Sequence, residues 1–198
     1  TSSGINFFLD VNSFSNHKLS FGINLELANI DLEEFQPEEL TSPNPFNNAV
    51  RPQGFHYDFA VNTNLVAMFL SHEFLTKDDF KIFSNFRLER LNYDYDNLML
   101  DGRTKDDGTE CIWLGNNGCY YSRPADEKIS YSDSSFSFGF SKLVENNEFF
   151  FQLSKGFRPP QINELFRLQK SQTLANLNSE KIDSIEFGIL SEGENFNN

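Results

Sequence analysis

Apolar and polar side chains alternate along several stretches of the chain, and a period of two predicts β-strands. The clearest stretch is 18–33. There Leu19, Phe21, Ile23, Leu25 and Leu27 alternate with Ser20, Gly22, Asn24, Glu26 and Ala28. A run of about ten alternating residues is the length that a tilted strand needs to cross a bilayer. The pattern therefore predicts a strand with one apolar face and one polar face.

The alternation predicts about seven strands in total. They are 4–11, 18–33, 59–75, 80–97, 129–144, 148–158 and 182–191. Stretch 59–75 is apolar on both faces, so the sequence leaves its facing open. In 80–97 the apolar phase shifts between Leu88 and Leu91, as at a bulge or where a strand leaves the membrane for water. We expect Tyr93 and Tyr95 to belong to an aromatic girdle at that boundary.

The connections between these strands alternate strictly in length. Segments 12–17, 76–79 and 145–147 are short polar turns, whereas 35–58, 98–128 and 159–181 are long. Outer-membrane barrels have short periplasmic turns and long extracellular loops, while soluble sandwiches more often keep every connection short. The sequence thus predicts an all-β fold, an antiparallel transmembrane β-barrel sector. Because unpaired strand edges are costly in lipid, we expect these strands to be an internal piece of a larger barrel.

Composition and charge narrow the classes of function. The 198 residues include 23 Phe, and an abundance of aromatic residues favours strands. No apolar run approaches the roughly 20 residues that a membrane helix needs. The net charge of -13 argues against nucleic acid as a partner, because phosphate binding requires a basic surface. The N-terminal residues lack the pattern of a signal peptide, so a processed or partial chain is expected.

A compact motif ends the predicted strand 148–158. It consists of Gly156, Phe157, Arg158, Pro159 and Pro160, with Glu164 in the turn that follows and Glu186 and Gly188 in the next strand. This motif resembles that of TonB-dependent outer-membrane receptors. In that family a strand ends in GFRAP, a turn contains ELY or ELF, and the next strand carries D/S-x-E-x-G. Pro160 stands where the family more often has Ala.

The resemblance implies that residues 1–198 are part of the barrel domain of a transporter. The barrel of such transporters has about 22 strands and a plugged lumen. The plug domain, which contacts TonB through its N-terminal part, and the remaining strands would lie outside this sequence. The implied location is the outer membrane of a Gram-negative bacterium, among its lipid and lipopolysaccharide. The implied ligand is a nutrient, most often a ferric siderophore, with cobalamin, carbohydrate or another chelate left open.

Two other functions stay open at this point. One is a passive, porin-like outer-membrane barrel without a plug. The other is a soluble β-sandwich that binds carbohydrate, which would bury its apolar faces between two sheets. An enzyme is not expected, because the sequence has no GxSxG, HExxH or phosphate-loop motif. No cofactor or resident metal is expected either, since His17, His56 and His72 lie far apart.

The long connection 98–128 is the expected ligand-contact loop. Its candidate contact residues are Arg103, Trp113, Tyr120, Tyr121 and Arg123. Aromatic rings there would stack on a sugar ring or a catechol. Cys111 and Cys119, eight residues apart in a polar segment, are expected to form a disulfide rather than to remain free thiols.

The motif residues are expected mainly to fix the geometry of the strand end. Gly156 would permit a close approach or a twist, and Pro159 and Pro160 would end the strand pairing. Arg158 would pair with a carboxylate, and Arg167 lies three residues after Glu164, a spacing that allows a pair on a helical turn. The alternative is that Arg158, Arg167 or Lys170 contacts an anionic ligand such as a ferric chelate.

Overall fold

The computed structural model describes residues 1–14, 16–170, 172 and 176–191. Its main feature is one antiparallel sheet of seven strands in the order β1-β2-β3-β4-β8-β9-β11. The elements in chain order are β1 (Ser2–Phe14), β2 (His17–Gln36), α1 (Pro45–Val50), β3 (Gly54–Leu75), β4 (Phe80–Asn97), β5 (Ile112–Trp113), β6 (Asn116–Asn117), β7 (Tyr121–Ser122), β8 (Glu127–Val144), β9 (Asn147–Arg158), α2 (Ile162–Phe166), β10 (Leu168–Gln169) and β11 (Glu180–Ser191). The predicted all-β class and the seven long strands are confirmed. Neither described helix is long and apolar enough to span a membrane.

The register of the sheet gathers the apolar positions of neighbouring strands onto one face. Phe21 pairs with Leu70, Leu70 with Phe86, and Phe86 with Phe136. These side chains are exposed, from 36% at Phe21 to 48% at Phe136. We call this side the outer face. Its apolar residues include Leu19, Phe21, Ile23, Leu25, Leu27, Val66, Met68, Leu70, Phe86, Leu88, Phe136, Phe138, Phe140, Phe151, Leu153, Ile185, Phe187 and Ile189.

The height of this apolar region matches a bilayer. Positions 19–27 of β2 cover about 30 Å of strand at roughly 3.3 Å per residue. At the tilt of about 45° that membrane strands adopt, they rise about 21 Å. The apolar band of outer-membrane barrels is about 25 Å tall. The band is therefore high enough to face the hydrocarbon of a membrane.

The opposite, inner face is mainly polar over the same height, with Ala67 and Phe69 as apolar exceptions in β3. It carries Ser20, Asn24, Glu26, Ser71, Asn85, Arg87, Ser137, Gln152 and Glu186. The sequence did not show which residues of 59–75 lie on which face, and the register of β3 answers this. Val66, Met68 and Leu70 lie on the outer face, whereas Ala67 and Ser71 lie on the inner face.

The soluble sandwich is contradicted by the same sheet. In that fold Phe136, Phe138 and Phe140 would point into an interior shared with a second large sheet. All three are exposed instead. Among the described residues, the only further sheets are two-stranded pairs within the long connections.

The expectation of an aromatic girdle at Tyr93 and Tyr95 is wrong. Pairing of β4 with both neighbours continues through 88–95 without a bulge, so the phase shift marks a change of face. Tyr93 and Tyr95 lie on the inner face and are only 7% and 1% exposed. They are buried because the long connections fold over the inner face at this end of the strands.

The hydrophobic core lies at that end, between the inner face of β3 and β4 and helix α2. It consists of Tyr57, Phe59, Val61, Tyr93, Tyr95, Leu165 and Phe166. Burying a large apolar side chain stabilises a fold by about 1.5–3 kcal/mol. The core therefore fixes α2 against the sheet.

On the inner face, near the short turns, phenylalanine rings lie over glycines of a neighbouring strand. Phe69 lies opposite Gly22, Phe83 opposite Gly139, and Phe150 opposite Gly188. A Cβ added at Gly22 would come within 2.1 Å of the Phe69 ring. Each ring covers the strand where its neighbour has no side chain, which is a known way to stabilise glycine in a sheet.

Candidate functional site

The three long connections fold together into what we call the loop layer, comprising 37–53, 98–126 and 159–170. Strand β7 of the second connection pairs with β10 of the third. The backbone N–H of Tyr120 donates to the carbonyl oxygen of Val50 in the first, at 2.8 Å. Segments far apart in sequence therefore form one folded surface at the end of the sheet.

Segment 159–170, here called the strap, crosses the inner face from β9 to β2. It passes over β4, where the Tyr93 hydroxyl donates to the carbonyl oxygen of Pro160 at 3.0 Å. Over β3, the Tyr57 hydroxyl donates to the carbonyl oxygen of Leu168. At β2, Nε of Arg167 donates to Glu34 at 2.9 Å. Side chains of β4, β3 and β2 thus hold the strap.

The beginning of the strap is held by a cluster of charges. Arg158 donates to Glu164 and to Glu180, each at 3.0 Å. Glu164 also accepts the backbone N–H of Gln161 at 2.7 Å. The hydrogen bond from Arg158, followed by that from Gln161, holds the pKa of Glu164 below its usual value. The expected contact between Glu164 and Arg167 is wrong. Glu164 forms its ion pair with Arg158, and Arg167 forms its ion pair with Glu34.

The other motif residues have simpler surroundings. A Cβ at Gly156 would meet nothing within 4 Å, so the close approach expected there is not present. Pro159 and Pro160 follow the last residue of β9, as expected of residues that end strand pairing. Phe157 pairs with Lys181 of β11. In β11, Glu186 accepts a hydrogen bond from Ser184 at 3.0 Å and Gly188 lies beneath Phe150.

Arg123 and Arg103 support the loop layer from within. Arg123 is 3% exposed, and its guanidinium donates to the carbonyl oxygens of Leu100, His56 and Thr104. Burial lowers the pKa of this guanidinium. The expectation that Arg123 contacts a ligand is therefore corrected, because its donors are used by the backbone. Arg103 donates in the same way to the carbonyl oxygens of Cys119 and Gly118.

A disulfide closes the hairpin formed by β5 and β6. Cys111 and Cys119 are bonded, with their Cα atoms 4.8 Å apart. The tip of the hairpin is Leu114 and Gly115, and both have positive φ, at 43° and 79°. Leu114 is 86% exposed and Ile112 is 69% exposed, while Trp113 is partly buried. The hairpin thus presents an apolar tip on a covalently closed base.

Tyr120 and Tyr121 tie the loop layer together. The ring of Tyr121 stacks on His56 with the centroids 3.8 Å apart, and burial raises the pKa of its hydroxyl. The Tyr120 hydroxyl donates to Gln169 at 2.6 Å, and Arg51 lies 4.2 Å above the Tyr120 ring. Both tyrosines are partly buried, and their neighbours come from all three long connections.

Glu34 and His56 also belong to this surface, although no pattern in the sequence predicts it. The Glu34 carboxylate contacts two basic side chains, with the His56 Nδ1 atom 3.6 Å from one oxygen and Arg167 on the other oxygen. His56 Nε2 donates to the carbonyl oxygen of Pro52 at 2.7 Å. Glu34 and Arg167 are 133 residues apart, so no local pattern relates them. Strand pairing alone would have placed Glu34 beside Tyr57.

The candidate residues therefore fall into two groups. Arg103, Arg123, Tyr120 and Tyr121 hold the loop layer together, whereas Trp113, Arg158 and Arg167 keep partly exposed side chains. Arg158 and Arg167 are engaged with carboxylates that a stronger anion would have to displace. Within the described part of the chain, no three His, Cys, Asp or Glu side chains come together to hold a metal ion.

The chain was compared with models of known protein families. A family model described as "TonB dependent receptor-like, beta-barrel" matches residues 1–197. A search of curated proteins finds no match to the chain. The family match covers nearly the whole chain, including all seven strands of the large sheet.

Proposed function

The chain belongs to the family of TonB-dependent receptor β-barrels, and on that premise we propose that it is one sector of a transporter that imports a nutrient across the bacterial outer membrane. Members of this family are outer-membrane transporters and receptors, and in general they are not enzymes. One observation carries the proposal: a single sheet has an apolar outer face of membrane height and a polar inner face, covered at one end by the loop layer.

In the complete protein, further strands would extend both edges of the sheet and close the barrel. Strands β1 and β11 each have only one neighbour in the described sheet, and an open edge in hydrocarbon costs several kcal/mol per unpaired group. A plug domain from elsewhere in the protein would then face the polar inner side. Energy from TonB would act on that plug. The loop layer, at the end with the long connections, would face the cell exterior.

We propose a ferric siderophore as the nutrient and Trp113, Arg158 and Arg167 as the residues that meet it. The support is chemical. A catechol or another aromatic group of a chelate would stack on Trp113. Anionic oxygens of the chelate would compete with Glu34 for Arg167 and with Glu164 for Arg158, since guanidinium binds such oxygens through two parallel hydrogen bonds.

Uptake by cells tests this proposal directly. A strain that lacks the complete receptor gene would be supplied with the wild-type gene, and accumulation of ⁵⁵Fe carried by a panel of siderophores would be measured. Labelled cobalamin serves as the competing substrate. We expect restored uptake of at least one ferric siderophore and at least a tenfold loss with Trp113→Ala/Arg167→Ala. Lys77→Ala, in the short turn at the opposite end of the sheet, is the matched control.

The same assay separates active transport from a passive pore. A protonophore, or deletion of TonB, should abolish the uptake, because the energy comes from the inner-membrane proton gradient. Uptake that persists under both conditions would favour a porin-like barrel. If the cells take up cobalamin and no ferric siderophore, the proposed substrate is wrong but the proposed transport function stands.

A further inference from the structure

Two histidines meet on the outer face, at the end of the sheet that carries the short turns. His17 begins β2 and His72 lies near the end of β3, 55 residues away in the sequence. The register places His17 opposite Phe74 and His72 opposite Leu19, so the two histidines are diagonal neighbours on one face. Aromatic side chains at such positions are long enough to touch. Strand pairing therefore joins two residues that the sequence separates.

The two imidazole rings contact each other through one nitrogen of each. Nδ1 of His17 and Nε2 of His72 are 3.0 Å apart, and the ring planes are inclined by only 10°. In this arrangement one of the two nitrogens donates a hydrogen bond to the other. The ring of Phe74 stacks on His17, with the centroids 4.5 Å apart. The pair therefore has a defined geometry, supported on one side by a phenylalanine ring.

The surroundings of the pair are almost entirely apolar. The two cross-strand rows that contain the histidines continue across β2, β3, β4 and β8 with Leu19, Ser84, Phe138, Phe74, Ile82 and Phe140. Only Ser84 among these is polar, so no carboxylate of these rows competes for the two rings. The ring of His17 is exposed and that of His72 is partly exposed. A small ion can therefore reach the pair, and the chemistry that it meets is that of two imidazoles.

The separation of the two nitrogens suits two ligands of one metal ion. Imidazole nitrogens bind Zn²⁺ at about 2.0–2.1 Å. At that bond length, two nitrogens on one ion lie about 2.9 Å apart at a right angle and about 3.3 Å apart at a tetrahedral angle. The separation of 3.0 Å between His17 and His72 lies within this range. The rings would have to turn so that both lone pairs meet at the ion, but the strands could stay in place.

We propose that His17 and His72 form a site for a divalent transition-metal ion of the class of Cu²⁺ and Zn²⁺. Imidazole suits both ions, and the affinity of nitrogen sites is generally highest for Cu²⁺. Ca²⁺ and Mg²⁺ require oxygen ligands and are not expected to bind. The ring that donates in the pair would carry its N–H on its other nitrogen, so that both neutral rings present a lone pair and no net proton is released. Water would fill the remaining coordination positions.

An ion bound at this pair would join β2 to β3 at the edge of the sheet. Because the ion binds the folded sheet, it would stabilise the pairing of these two strands near the short turns. The pair lies on the outer face, whereas a transported nutrient would pass along the inner face. The ion is therefore proposed as a structural ligand and not as cargo, and the proposal does not depend on which nutrient is transported.

Titration of the complete, metal-free receptor in detergent with Cu²⁺ alone tests this proposal. Electron paramagnetic resonance counts the bound Cu²⁺ and shows, through the coupling to nitrogen, how many imidazoles hold it. We expect His17→Ala and His72→Ala each to bind Cu²⁺ at this site at least tenfold more weakly than the wild type, and to lose the signal of a two-imidazole ion. Histidines elsewhere in the receptor are the same in every variant, so the difference between variants isolates this site.

The matched control is Glu73→Gln, which changes the residue next to His72 but lies on the inner face. It should bind Cu²⁺ like the wild type. Zn²⁺ should raise the unfolding temperature of the wild type, followed by heat-modifiable migration on a gel, more than that of His17→Ala/His72→Ala, whereas Ca²⁺ should raise neither. If His72→Ala does not fold, His17→Ala, which changes the more exposed ring, decides the test. Equal Cu²⁺ binding by the wild type and the folded histidine variants, or an equal loss in Glu73→Gln, would overturn the proposal.

Discussion

The ring of Phe166 lies flat against the ring of Tyr95, with the centroids 4.2 Å apart and the planes inclined by 13°. Tyr95 belongs to strand β4 and Phe166 to the strap, and both side chains are fully buried. This pair joins a long connection to the inner face of the sheet. The loop layer is consequently packed against the sheet as part of the fold.

Substitution Phe166→Ala should release the strap. Removing a buried phenylalanine ring from a core costs about 3–5 kcal/mol, and here the loss falls on the segment that the ring anchors. We expect faster amide hydrogen exchange and faster proteolysis in 161–170 of the complete receptor. Phe138→Ala, on the outer face, is the control and should leave exchange in the strap unchanged. Unchanged protection of the strap in Phe166→Ala would show that the core does not hold it.

Acidification should weaken the attachment at the beginning of the strap. The folded-state pKa of Glu164 is lowered from 4.5, chiefly by the hydrogen bond from Arg158. A lowered pKa means that the pair stabilises the strap at pH values above 4.5, and that this contribution is lost as the pH falls through the folded-state pKa. We expect a fluorescent label at position 170 to report a constant environment from pH 8 to about pH 5 and a change below it.

Glu164→Gln is the control for this pH dependence. It cannot form the ion pair, so its response below about pH 5 should be shallower than that of the wild type. A variant with the same acid transition as the wild type would contradict the role given to Glu164.

The large sheet could be predicted from the sequence because each strand has a pattern of its own in neighbouring residues. A period of two identifies strands and their apolar faces, and the alternation of short and long connections gives the antiparallel order. Val66, Met68 and Leu70 were ambiguous only because Ala67 and Phe69, on the inner face, are also apolar. The motif around Arg158 was recognised by resemblance to a family, not by its contacts.

The loop layer was not accessible in the same way, because its contacts join distant segments. From the strand pattern alone, Tyr93 and Tyr95 fit an aromatic girdle. They are core residues because Leu165 and Phe166 of the strap pack against them. A buried arginine and an exposed arginine that contacts a ligand look the same in a sequence. The residues next to Arg123 in the sequence do not predict that it is buried. Glu34 and Arg167 meet across 133 residues, a relation that periodicity does not contain.

Removal of the disulfide should loosen the hairpin without changing the sheet. Closing a loop of this size stabilises it by about 2–3 kcal/mol, mainly by restricting the open state. In Cys111→Ser/Cys119→Ser we expect new proteolytic cleavage within 105–118, mapped by mass spectrometry, and an unchanged content of β-structure. Treatment of the wild type with a reductant should reproduce the cleavage. Resistance of both samples to protease would mean that Arg103 and the backbone contacts suffice to hold the hairpin.

Two glycines of the sheet should respond differently to alanine. A Cβ at Gly139 would lie 2.6 Å from the carbonyl oxygen of Phe151, which the strand pairing holds in place, whereas one at Gly156 would meet nothing within 4 Å. We expect Gly139→Ala to lower the free energy of unfolding by about 1–3 kcal/mol. Gly156→Ala should leave it unchanged or raise it by less than about 1 kcal/mol. Unfolding of the receptor in detergent, followed by heat-modifiable migration, gives the comparison; equal losses would contradict it.

Spin labels placed one by one along positions 133–140 of β8 test most directly whether the outer face of this sheet meets lipid. The complete receptor would be reconstituted in liposomes, and the accessibility of each label to oxygen and to a water-soluble nickel chelate would be measured. We predict that labels replacing Phe136, Phe138 and Phe140 favour oxygen, while those replacing Ser135 and Ser137 do not. Accessibility that fails to alternate, or labels at the phenylalanine positions that neither reagent reaches, would contradict a membrane-facing outer surface.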